Sequence, residues 1–144
     1  MGDSLLVQVS IRLGDLAVRA ALYELETPVT VNAFLGMLPL GLSFFQSRDS
    51  GTELLRDEGP SLRVPQEDLS VHRSLEEMAV EVPISRFPKG FKGAMSIIYG
   101  SQASPRQCMN VFARVVDGDL GTLEAMGVLV WQRGVQELEF FKEV

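Results

Sequence analysis

Seven side chains in this sequence have the types and placement to make a recognition surface: Phe44, Phe45, Arg48, Phe87, Phe91, Tyr99 and Trp131, aromatic or cationic residues near strand ends and turns. An aromatic ring offers apolar area, and a phenol, an indole N–H or a guanidinium adds a hydrogen bond. Together they suit a groove for an apolar or amide-bearing ligand. Most of the seven should pack in a core, leaving about two or three to face a ligand, because pockets are few per protein.

The other chemistry-bearing residues are scattered. His72 is the only histidine, so a catalytic triad or a mononuclear zinc site would lack its commonest part. Glu76 would share a face with His72 on a helix, but two ligands rarely make a metal site and no metal is expected. Cys108 is the only cysteine; it has no base beside it in sequence, precedes an apolar run, and reads as a small buried hydrophobe. Gly90-Phe91-Lys92-Gly93 has the letters of a nucleic-acid clamp without the flanking helices. Arg86, Lys89 and Lys92 form a basic loop whose default is solvation, and the pairs Glu67-Asp68 and Glu76-Glu77 do not converge as an acid and base would.

These residues sit between elements the pattern makes plain. Val7, Val9, Ile11 and Leu13 alternate with polar residues, Gly14-Asp15 supplies a reversal, and Leu16, Val18, Ala20 and Leu22 form the partner strand of a hairpin. Val31, Phe34, Leu35 and Leu38 recur at helical spacing, with Thr27 or Thr30 as N-cap, Pro28 in the first turn and Pro39 as the stop. A strand over 41–48 turns at Ser50-Gly51 into a return strand over 52–55. Residues 56–75, charged and broken by Gly59-Pro60 and Pro65, read as an excursion over the surface. Strands follow around Met78 to Ile84, at Met95 to Tyr99 and at Val111 to Val116. A second helix is expected from Asp119 to Met126 with Gly127 as its stop, then a last hairpin of Val128 to Gln132 and Val135 to Phe141 across Arg133-Gly134.

The chain has 144 residues, 46% hydrophobic and 22% charged, which fits one domain spanning residues 1–144. No apolar run approaches the roughly 20 residues that span a bilayer, and the first residues lack a basic leader, so no membrane association is expected and the cytoplasm is the default. A net charge of −6 argues against a nucleic-acid partner, which needs a basic face. About eight short strands and two helices predict a mainly β fold, closed into a barrel that leaves no exposed edge.

Three stretches together resemble the cyclophilin-like superfamily. Thr27-Pro28-Val29-Thr30-Val31-Asn32-Ala33-Phe34 looks like the Pro-x-Thr-x-x-Asn-Phe helix start that follows the first hairpin of a cyclophilin. Gly93-Ala94-Met95-Ser96-Ile97 is similar to a mid-fold strand, and Val111 to Leu120 to the Val-Phe-Gly-x-Val strand and the helix after it. A closer resemblance is to a bacterial group of small cyclophilin-like proteins catalogued as a domain of unknown function, through Pro28 to Thr30, Arg48 to Glu53, Lys92 to Gly100 and Val111 to Val115. It covers nearly the whole chain outside about residues 56–75.

This resemblance implies a closed cyclophilin-like β-barrel with two short helices. In proline-isomerising cyclophilins an arginine hydrogen-bonds the prolyl amide inside a dry pocket and weakens its double-bond character; Arg48 stands in the matching region. It does not follow a Phe-His pair, and Gln102-Ala103-Ser104 stands where Gln-Phe-Phe is expected. The leading expectation is therefore a small-molecule or peptide binding module, or an enzyme of unknown metabolism, with no cofactor. Its ligand would meet Phe44, Gln46, Arg48, Phe87, Phe91 and Tyr99. A divergent peptidyl-prolyl isomerase using Arg48 is the alternative, and a homo-oligomer subunit the third reading.

Overall fold

Leu13 and Leu16 pair across the reversal at Gly14-Asp15, and Gly14 there takes a φ of 59°, a left-handed conformation that a side chain would disfavour. From this hairpin the computed structural model continues through a barrel; it describes residues 7–47, 51–56, 67, 69–70, 77–81, 95–100 and 109–143. The elements are β1 (Gln8–Leu13), β2 (Leu16–Leu22), α1 (Pro28–Met37), β3 (Leu40–Gln46), β4 (Glu53–Arg56), β5 (Leu69–Ser70), β6 (Glu77–Glu81), β7 (Met95–Ile98), β8 (Met109–Val115), α2 (Leu120–Arg133) and β9 (Gln136–Lys142).

Among the described residues, eight strands close a ring in the order β2-β1-β9-β3-β4-β7-β6-β8 and back to β2 through Ala20 to Leu22 against Val115 to Ala113. Every pairing is antiparallel. The two-residue β5 extends the edge of β8 beyond β2. Alternation then decides the interior: Val9, Ile11, Val18, Ala20, Leu22, Leu42, Phe44, Leu54, Ile97, Leu138 and Phe140 point inward and are buried, the period-two pattern legible in the sequence. β2 leads into α1, whereas β8, antiparallel to it, leads into α2. The helices therefore stand at opposite ends of the barrel, α1 inserting Val31 and Phe34, and α2 inserting Leu123, Met126 and Val130.

One irregularity shapes the α1 end. Met78 pairs with Ala113 but Ala79 with Val111, so Phe112 has no residue opposite it. Such a bulge re-aims side chains, and Phe112 is fully buried with its ring 5.0 Å from that of Phe34.

Two expectations are corrected. The second helix does not stop at Gly127; it runs on to Arg133, and Val128 to Gln132 are helical rather than a strand. Gly134 is the actual stop, with φ 86° and its N–H donated to Val130 O at 2.9 Å. Gly127 is instead a close-packing glycine: a Cβ there would lie 2.3 Å from the Tyr99 ring. The final hairpin therefore reduces to one strand, β9. The 56–75 excursion is also not wholly superficial, since Leu69–Ser70 pairs with β8 and Glu67 reaches across to α1.

That reach replaces the expected helix cap. Thr27 is the N-cap residue, but its hydroxyl donates back to Tyr23 O at 2.9 Å, while its carbonyl accepts from Val31 N at 2.9 Å. The first-turn amides of Val29 and Thr30 donate to the Glu67 carboxylate at 2.9 and 2.7 Å, joined by Thr30 Oγ1 at 2.6 Å. Asn110 closes the cluster, accepting from Glu67 N at 2.9 Å and donating to Thr30 Oγ1 at 3.1 Å. Partial burial pulls the Glu67 pKa upward, but these hydrogen bonds outweigh it and hold the group below its ordinary value.

A folded-state pKa below the unfolded one means stability present above the unfolded pKa and lost as pH falls through the folded one. Glu67→Gln, which sets an NH₂ against one of two N–H donors, should cost about 0.5–2 kcal/mol at neutral pH, the size of a lost cap. Urea unfolding should show the gap between variant and wild type closing at acid pH. A gap independent of pH would mean that the carboxylate charge contributes nothing.

Candidate functional site

The inward row of β3 runs Leu40, Leu42, Phe44 and Gln46 toward the α2 end of the barrel. Gln46 pairs with Leu54, and Leu54 with Ile97, two residues before Tyr99. Alternation thus brings two polar side chains, Gln46 and Tyr99, to the end of rows that are otherwise apolar. Close contact with Gly127 seats the Tyr99 ring against α2. The turn between β3 and β4 faces it, held by Ser47 N to Glu53 O at 2.9 Å, Glu53 N to Gly51 O at 2.8 Å and Tyr99 N to Thr52 O at 3.0 Å. Gly51 takes φ 81° to make this turn.

Between turn, strand and helix lies a concavity of about 370 Å³ lined by Gln46, Ser47, Gly51, Thr52, Tyr99, Val128 and Trp131. Its volume suits a small ligand. Trp131 is 67% exposed and Val128 40%, so its helical wall is apolar and open to solvent. Its floor is wired: Gln46 Nε2 donates to Ser47 O at 2.9 Å and to Gly51 O, and the Tyr99 hydroxyl donates to Gln46 Oε1. Burial pushes the Tyr99 phenol pKa up, so the phenol stays protonated as a donor at neutral pH.

Of the residues expected at a ligand site, the structure brings Gln46 and Tyr99 together on this concavity. Phe44 lies elsewhere: it is fully buried, its ring 6.0 Å from Phe140, because it occupies an interior step of the same inward row. Arg48, Phe87 and Phe91 fall outside the described residues, as do His72 and Cys108. Trp131 stood among the seven recognition candidates but not in the expected ligand-contacting set, and Val128, Thr52, Ser47 and Gly51 were in neither. The available signal for Trp131 was helical phase: it falls off the buried Leu123, Met126, Val130 stripe, which a strand reading of Val128 to Gln132 conceals.

Other candidates are weaker. Ser96 donates to the Glu53 carboxylate, but Ser96 is fully buried and no substrate can reach it as a nucleophile. Two broader hollows of about 590 and 440 Å³ border α2 near Leu16 and Leu129, without a converging set of hydrogen-bonded polar groups. Among the described residues no three of His, Cys, Asp and Glu come together to hold a metal ion, and no helix is long and apolar enough to cross a membrane.

No protein-family model matches the chain, and no curated protein matches it in sequence. Its fold is similar to that of McbB in complex with tryptophan, with a TM-score of 0.74 at 16% identity over 94% of this chain and 45% of that one. This chain therefore spans less than half the length of McbB. The solution structure of a hypothetical protein, AF2241 from Archaeoglobus fulgidus, matches with a TM-score of 0.65 at 19% identity over 96% of both chains. A Cryptosporidium parvum cyclophilin type peptidyl-prolyl cis-trans isomerase, solved in the presence of the dipeptide Ala-Pro, matches with a TM-score of 0.67 at 14% identity over 95% of this chain and 99% of that one. The fold is a cyclophilin-like barrel; identities this low carry the fold and nothing finer.

Proposed function

We propose that this cyclophilin-like barrel, read as one domain of the bacterial group named above, is a binding module for a small molecule or short peptide, held in the concavity between Tyr99 and Trp131. The observation that carries the reading is the pairing of an exposed apolar wall with a hydrogen-bonded polar floor in one cavity, the composition that small-ligand sites share. That one structural neighbour holds tryptophan and another was solved with Ala-Pro supports ligands of amino-acid or dipeptide size. A fold hosts many functions, so the reading rests on the cavity.

Trp131 is the only tryptophan in the chain, which makes its fluorescence a local reporter. Titrating small neutral amides and dipeptides should shift that emission saturably, and Trp131→Ala, read by calorimetry, should weaken binding about tenfold, as expected for loss of an aromatic contact. A linear, non-saturating response to every ligand would remove the reading. The alternative, a divergent prolyl isomerase, is supported by sequence adjacency: Ser47 lines the cavity and Arg48 is the next residue. It predicts accelerated cis–trans relaxation of X-Pro peptides that is lost in Arg48→Ala; no acceleration by wild type would eliminate it.

A further inference from the structure

The hydrogen-bond wiring of the floor says which ligands it can satisfy. Backbone carbonyls only accept, so the contacts to Ser47 O and Gly51 O require that Nε2 of Gln46 point at them. This fixes Oε1 toward Tyr99, and the phenol must spend its one proton on it. Both N–H donors of Gln46 and the single donor of Tyr99 are thereby used. What these two residues still have to offer a ligand is lone pairs: one on Gln46 Oε1 and those of Tyr99 Oη. Trp131 contributes an apolar face with one N–H. None of the described lining residues is charged.

From this we infer that the site selects ligands carrying an N–H donor on a flat apolar body, such as a primary or secondary amide, and discriminates against tertiary amides such as the X-Pro bond. The inference rests on the binding reading above and adds the ligand class. A ligand without an N–H would strip water from the remaining lone pairs of the Tyr99 and Gln46 oxygens and offer them no donor in its place, which costs more than a hydrogen bond gained is worth. An N–H ligand satisfies them while its ring covers Val128 and Trp131.

The test is a matched pair of probes, benzamide and N,N-dimethylbenzamide, which share ring and carbonyl and differ in whether the nitrogen carries hydrogen. Binding is read from Trp131 fluorescence and checked by calorimetry. Benzamide should bind about tenfold more tightly to wild type, the effect of one unsatisfied polar group. In Gln46→Met the Tyr99 proton is released for the ligand, and the preference should fall to about twofold or less, because the phenol can then donate to either carbonyl. Circular dichroism establishes that the variant is folded, and the wild-type comparison decides the matter by itself if it is not. Equal binding of both probes to wild type, or a preference for the dimethyl compound, would overturn the inference and leave the binding site standing. If neither probe binds, both the inference and the binding reading are overturned.

Discussion

Phe140→Ala should lower stability by about 3–5 kcal/mol, the cost of deleting a fully buried aromatic ring, against a total that for ordinary domains is about 5–15 kcal/mol. Phe140 has no exposed surface. Its ring meets Phe34 at 5.8 Å and 87° and Phe44 at 6.0 Å and 47°, while Phe34 in turn meets Phe112 at 5.0 Å. The four rings form one continuous run that joins α1 to strands β3, β8 and β9. Removing its middle member leaves a cavity bounded by a helix and closed strands, which can collapse only partly. The neighbouring Phe141→Ala supplies the control: that ring lies on the outer face with the Arg12 guanidinium 5.2 Å from its centroid, an exposed cation–π contact worth about 0.5–1 kcal/mol. Urea unfolding should move the Phe140→Ala midpoint far more than that of Phe141→Ala. Equal shifts would mean the aromatic run is not a unit of the core.

The β-hairpin and the limits of α1 were legible in the sequence because each rests on local physics: strict alternation around Gly14-Asp15 in one case, Pro28 and Pro39 in the other. Barrel closure was inferred from the number of short strands and the wish to avoid edges, and the pairing of β2 with β8 supplies it. What stayed hidden is non-local. Nothing near Thr27 announces that Glu67, far along the chain, will cap α1, and no local pattern marks Phe112 as the bulged residue that turns inward.

The second helix was misread for a reason that can be named. Val128, Leu129, Val130 and Trp131 are β-branched, apolar or aromatic, and after a glycine they mimic a strand. The buried row Leu123, Met126, Gly127 and Val130 nevertheless keeps helical spacing at i, i+3, i+4 and i+7. Its third place is held by a residue with no side chain, so the stripe looked interrupted. The same misreading put Trp131 in a hairpin and so concealed that the wall it belongs to is helical. Tyr99 was legible as an aromatic near a strand end and Gln46 through the resemblance around Arg48; Phe44, one step further in on the same row, is simply core.

Gly127 is the residue on which helix, core and site meet, and its substitution tests all three. In an unencumbered helix, Gly→Ala stabilises by roughly 0.5–1 kcal/mol through the lower conformational entropy of alanine in the unfolded chain. Gly121→Ala should gain that much, since a Cβ at this position of α2 would meet nothing within 4 Å. At Gly127 the sign should reverse. A Cβ would fall 2.3, 2.4 and 2.5 Å from three atoms of the Tyr99 ring, far inside contact distance, and that ring is held by its hydroxyl bond to Gln46 and by the backbone bond of Tyr99 N to Thr52 O. Either helix or ring must move, at the 1–3 kcal/mol or so typical of overpacking, and Gly127→Val should cost more than Gly127→Ala. The displaced phenol would also leave Gln46, so the altered Trp131 emission and weakened amide binding should accompany the loss of stability. If Gly127→Ala proved as stabilising as Gly121→Ala, with ligand binding intact, Tyr99 would not be packed against the helix, and the polar floor derived from its position would have to be redrawn.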